Sequence, residues 1–230
     1  MTFVTRIGML LLLMSSSVVS GQTDALPQVL ILGDSVYRQP ATQVEKELRG
    51  RVVVVFKTAR LGDVWNSSSM LEHLDELLGD RQWDVIHFNC GLGDLIYRAP
   101  GIKSFRIMPA DHGGIRATAP EQFEKNLRSI LSRLHVTGAK VVWGSITPIR
   151  HSTTNVFELG SEIEYNQIAA TVMKERDVTV NDMYTYVLNQ LDMNRPAAHG
   201  ADPFFFDRKP IHPPLVTSIL NALGSDVAAP

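Results

Sequence analysis

The sequence has a single cysteine, Cys90, so no disulfide can form within the chain. It has no block of basic residues. Its formal net charge is −2, and the electrostatic footprint of a nucleic-acid binder is missing. It has no compact metal-ligand spacing such as His-Glu-x-x-His, so no metal site is expected. It has no internal repeat, and no linker splits it. These absences leave one globular domain. A composition of 44% hydrophobic and 20% charged residues over 230 positions supplies one well-filled core.

Long apolar runs are scarce too. The one at the start, from Ile7 to Met14, follows Arg6 and is diluted by Ser15, Ser16, Ser17, Ser20 and Gly21. This is the layout of a secretory signal peptide. The run is too short for a spanning helix, and no cysteine follows it to take a lipid; a membrane anchor is the other reading. Residues 1–21 are therefore expected to be removed, with cleavage near Ser20 to Thr23. Residues 22–230 then form the domain, secreted or periplasmic and with no stable membrane insertion.

Within the domain, apolar runs alternate with helical periods. Val29 to Leu32, Arg51 to Phe56, Asp84 to Asn89, Ala139 to Ser145 and Val178 to Asp182 read as five strands. Continuously apolar strands fit a parallel sheet covered on both faces. Met70, Leu71, Leu74, Leu77 and Leu78 make a helical stripe ended by Gly79. Phe123, Leu127, Ile130, Leu131 and Leu134 make a second, with Thr118 and Glu121 matching a capping box ahead of it. Ile163, Ile168, Ala169 and Val172 suggest a third helix, and Leu215, Ile219, Leu220 and Leu223 a last one stopped by Gly224. The expected fold is α/β: three α/β/α layers around a doubly wound, mostly parallel sheet of about five strands. The long segment "GDLIYRAPGIKSFRIMPADHGGIRA" reads either as a lid or substrate-binding wall or as a surface insertion.

The first strand runs into Gly33-Asp34-Ser35. The tripeptide alone is weak, arising by chance in roughly a few per cent of chains this long. Its place is not weak. A strand-to-helix turn at the carboxyl edge of a parallel sheet presents the Ser35 hydroxyl over the crevice where ligands bind, beside the free N–H groups of the helix. Asp34 is expected to hydrogen-bond within its own turn. A serine nucleophile needs a base. His73 and His135 read as surface residues, His87 as a core side chain, and His112, His151 and His199 as loop residues. His212 stands at a loop-to-helix junction late in the chain. Cys90, at a strand end, reads as a buried, inert thiol.

Three further stretches, "QWDVIHFNCGLGDL", "NLRSILSRLHVTGAKVVWGSITP" and "EYNQIAATVMKERDVTVNDMY", join Gly33-Asp34-Ser35 and the late His212 in an order and spacing that resemble the SGNH/GDSL hydrolase family over nearly the whole domain. The resemblance is to secreted bacterial members, with a flavodoxin-like sheet and no cofactor. It implies Ser35 as nucleophile and His212 as general base. It implies an oxyanion hole of the Ser35 N–H with Gly62, or Asn66 in its place, and the Gly93 position. Asp34, Asn89, Asp94 and Arg106 are the expected substrate-binding groups. Arg98, Lys103, Arg116 and Arg150 share the crevice loops with Arg106; they read either as a substrate-reading set or as a solvated surface.

Two positions depart from the family pattern. Gly-x-Asn-Asp is here Gly91-Leu92-Gly93-Asp94, so an oxyanion-donating side chain is lost, a change worth about a hundred- to a thousandfold in turnover. Asn89 is a weak substitute. In the Asp-x-x-His block Lys209 stands where the aspartate is expected, leaving Asp207 as the orienting acid and Asp202 as a more distant one. Two functions follow. One is a secreted serine esterase or acylhydrolase acting on a small-molecule or carbohydrate ester. The other keeps the fold and binds a carbohydrate or acylated ligand without turnover.

Overall fold

The computed structural model describes residues 25–59, 64–102, 106–150, 155–194 and 206–224. The signal segment, Gly62, Lys103, His151, His199 and Asp202 lie outside the described residues. In chain order the strands are β1 (Gln28–Leu32), β2 (Val53–Lys57), β3 (Val85–Phe88), β4 (Tyr97–Arg98), β5 (Ile115–Arg116), β6 (Lys140–Gly144) and β7 (Thr179–Asn181). The helices are α1 (Ser35–Glu47), α2 (Ser67–Glu72), α3 (Leu74–Leu78), α4 (Leu92–Leu95), α5 (Pro120–Val136), α6 (Ser161–Glu175), α7 (Met183–Leu188) and α8 (Pro213–Leu223).

Five strands form one sheet in the order β2-β1-β3-β6-β7, every pairing parallel. The α/β layering expected from the apolar runs is what forms. Side chains alternate across β1: Leu30 and Leu32 enter one core, Val29 and Ile31 the other, and all four are fully buried. Each such burial stabilises by about 1.5–3 kcal/mol. The first core lies under α2, α3, α5 and α6, with Phe123, Leu127, Ile130 and Leu131 of α5 at 0% exposure. The second lies under α1, α7 and α8, with Tyr37, Val44, Met183, Leu215 and Ile219. Because β2 pairs on one side of β1 and β3 on the other, the order reverses direction between β1 and β3. Ligand crevices of such sheets open at the carboxyl ends of the two strands flanking that reversal.

Local expectations were met unevenly. Gly79 and Gly224 end their helices with φ of 61° and 85°. The stripe from Met70 to Leu78 is two short helices that meet at His73. The capping box of Thr118 and Glu121 does not form: α5 starts at Pro120 with Ala119 as cap and no side-chain cap bond. Thr118 is buried, and its hydroxyl is used by Asp94. The long segment after β3 contains the β4/β5 hairpin. Tyr97 N–H donates to Val156 O, and Arg116 pairs with Glu158 and Glu164, which ties the hairpin to the start of α6.

Candidate active site

Ser35 is the first residue of α1 and is exposed three residues beyond the end of β1. Its turn is built by its neighbours. Asp34 caps the helix, its Oδ1 accepting from Val36 N–H at 2.9 Å, as expected for a local turn. Gly33 is needed for packing: a Cβ there would stand 2.8 Å from Tyr37 Cβ and Cγ. Tyr37 in turn fills the core against His87. Asp34 is 6% exposed, and burial pushes its carboxyl up to about 6 against the pull of the Val36 and Tyr37 N–H groups. Its capping oxygen is occupied and its second oxygen is buried without a partner, so the residue supports the turn rather than lining a binding surface.

Ser35 also lines a groove of about 440 Å³. One wall is α1, contributing Ser35, Gln39 and Gln43 at four-residue spacing with Val36 and Pro40 between them. The other wall is the segment Phe206–His212. That segment is pinned at both ends. Asp207 pairs with Arg150 at 3.2 Å, and His212 Nε2 lies 3.4 Å from Glu47 Oε2.

This arrangement corrects two expectations. Glu47 lies twelve residues beyond Ser35 on α1, about 18 Å along the axis. Even with both side chains extended towards each other, a ring bonded to Glu47 stays outside hydrogen-bond reach of the Ser35 hydroxyl. The structure does not bring Ser35 and His212 together. Nor does Asp207 orient the ring, because its partner is Arg150, whose side chain is 1% exposed.

The oxyanion donors fare differently. The Ser35 N–H, at the first helical position, has no intrahelical acceptor. Gly93 leaves no room for the family's asparagine: a Cβ there would stand 2.1 Å from Trp65 O and 2.8 Å from Val64 Cγ1. The Trp65 carbonyl and the Val64 side chain occupy the space that side chain would take. Asn66 caps α2, its Oδ1 accepting from Ser69 N–H at 2.8 Å.

Three expected substrate-binding residues have other placements. Asn89 is 1% exposed, and its Nδ2 donates to Gly144 O at 2.9 Å, so the amide serves the sheet edge. Asp94 is 0% exposed and accepts from Ser67 N–H at 2.8 Å and from Ser67 Oγ at 2.5 Å. Burial pushes its carboxyl up to about 6, opposed by the hydrogen bonds of Ser67 and Thr118. It clamps α2 to α4 and is closed to substrate. Arg106 is exposed on the β4/β5 insertion, where its carbonyl accepts from Ala99 N–H. His87 and Cys90 are core residues, both 0% exposed. Burial lowers the His87 pKa to about 4 and raises that of the Cys90 thiol. Among the described residues no group of acids, histidines or Cys90 could hold a metal.

The groove brings in Gln39, Gln43 and Arg208, which the sequence did not single out. Arg208 and Lys209 line the wall opposite Ser35. The spacing of Ser35, Gln39 and Gln43 was a visible signal; the fold-back of residues 206–212 onto α1 was not.

No family model matches the sequence, and no curated protein matches it. Solved structures do. An acetyl xylan esterase covers 84% of this chain and 100% of its own, at 14% identity and a TM-score of 0.64. A lipase/acylhydrolase from Enterococcus faecalis covers 84% and 95%, at 14% identity and 0.63. An acetylxylan esterase from Geobacillus stearothermophilus covers 88% and 96%, at 13% identity and 0.60. The fold is the SGNH hydrolase fold. In this fold Ser35 stands at the start of α1 just after β1, while residues 206–212 lie along α1.

Proposed function

We propose that the chain is a secreted serine ester hydrolase acting on a carboxylic ester of a small molecule or carbohydrate. Ser35 Oγ attacks the ester carbonyl, the alcohol leaves, and water then releases the acid from the acyl-enzyme. The Ser35 N–H meets the developing oxyanion. A general base takes the serine proton and returns it to the leaving alcohol, the part that the resemblance gives to His212. The observation that carries this reading is the exposed Ser35 at the capped start of α1, over the point where the strand order reverses and in an open groove. Its likeness in fold to acetyl xylan esterases and an acylhydrolase supports it.

A second reading is a protein of the same fold that binds an acylated or carbohydrate ligand without cleaving it. The contact of His212 with Glu47 and the filled space at Gly93 favour it. A fluorophosphonate probe separates the two. Hydrolysis requires covalent labelling at Ser35, absent in Ser35→Ala. A folded wild-type protein that takes no label leaves the binding reading in possession.

A further inference from the structure

The wall facing α1 has an uncommon backbone. Asp207 and Arg208 are consecutive non-glycine residues with φ of 52° and 59°, a left-handed conformation that L residues avoid. Strain of this kind persists where surrounding contacts over-determine it. Here Arg150, almost fully buried, holds the Asp207 carboxylate, and Lys209 N–H closes the turn on Phe206 O at 2.9 Å. The turn directs Arg208 and Lys209 along the groove that contains Ser35. Both are exposed, and neither side chain has a hydrogen bond or an ion pair among the described residues.

Among the described residues no acid lines the groove. The nearby carboxylates are committed: Asp34 caps α1, Asp207 is paired with Arg150, and Glu47 lies with His212 at the far end. The opposite wall offers the amides of Gln39 and Gln43, each able to donate to and accept from hydroxyls. Pro40 has no N–H for the carbonyl of Val36, which leaves a further acceptor in the same lining. Two cations facing a row of amides, in a groove within the size range of ligand sites, match a ligand that is both charged and polyhydroxylated.

We propose that this groove is the subsite for an anionic carbohydrate ester. A sugar carboxylate or sulfate meets Arg208 and Lys209, sugar hydroxyls meet Gln39 and Gln43, and the acylated oxygen lies at Ser35. The acyl end of this assignment rests on the esterase reading; the binding end does not.

Calorimetric titration of the Ser35→Ala protein, folded by circular dichroism, tests it without turnover. The probes are an oligogalacturonate, a sulfated xylo-oligosaccharide and a neutral xylo-oligosaccharide of equal length. At low salt at least one anionic probe is expected to bind about tenfold or more tightly than the neutral one, the scale of one charge-assisted contact. Which of the two does so assigns carboxylate or sulfate. The preference should vanish in R208Q/K209Q and persist in R208K/K209R. Equal affinity for all three probes, or a preference unchanged by R208Q/K209Q, overturns the proposal. A protein that binds the anionic probe but takes no fluorophosphonate at Ser35 keeps this subsite and loses the esterase reading. One that is labelled without anionic preference does the reverse.

Discussion

At the residue scale, two positions show how a site can be present in outline and altered in substance. Gly93 is not a neutral gap where the family resemblance expects an oxyanion donor. The Trp65 carbonyl stands where a side chain would begin. Gly93→Asn is therefore expected to lower stability by about 1–3 kcal/mol or more, as over-packing does, and to give no gain in ester hydrolysis. A urea titration and an acetyl-ester assay on the same protein check both halves. Asp34 supplies the second case. Burial pushes its carboxyl up to about 6 in the folded protein, from an ordinary value of 3.8. The folded protein thus holds this proton more tightly than the unfolded chain does. The associated stability is present below about pH 4 and is lost as the pH rises through 6, by about 3 kcal/mol in all. Asparagine caps helices as well as aspartate does. Asp34→Asn should then gain on the wild type between pH 4 and pH 7.5, as read from urea midpoints. A wild-type-to-variant difference that is the same at both pH values would refute the assignment.

At the element scale, α2, α4 and α5 are joined by a small buried polar network. Ser67 Oγ donates to Asp94 and accepts from Asn126 Nδ2 at 2.9 Å, with Ser67 at 0% exposure. Ser67→Ala removes a hydroxyl bonded on both sides. The expected cost is about 1–3 kcal/mol at pH 7.5, because a buried carboxylate loses a donor. The cost should shrink at pH 5, where Asp94 is protonated in the folded state. Thermal melts at the two pH values test this. Element boundaries were the less legible part of the sequence. The stripe from Met70 to Leu78 shows helical period but not the break at His73, and Thr118 has the chemistry of a cap yet is drawn to Asp94. A local pattern cannot register a buried carboxylate twenty-four residues earlier in the chain.

At the scale of the whole molecule, the layout of the amino-terminal segment yields a prediction about export. We expect a chain made with residues 1–21 in a bacterial host to be exported and to start between Gly21 and Asp24. The intact mass of the exported protein checks this, and retention of the full length in the cell would argue against a cleaved signal. Among the described residues, no helix is long and apolar enough to cross a membrane.

The order of the elements was legible in the sequence, because continuously apolar strands such as Val29–Leu32 can be satisfied only with helices on both faces. So was the place of Ser35, since a strand-to-helix turn in a parallel sheet has one exposed edge to occupy. The partners of Ser35 were not legible. His212 and Asp207 are far from it along the chain, and their positions depend on ion pairs with Glu47 and Arg150. No local periodicity encodes those pairs. Only tertiary packing decided that the late segment lies along α1 and that a backbone carbonyl fills the space beside Gly93. Both outcomes arise from contacts between residues distant in sequence, where packing and charge pairing decide the geometry and local propensity does not.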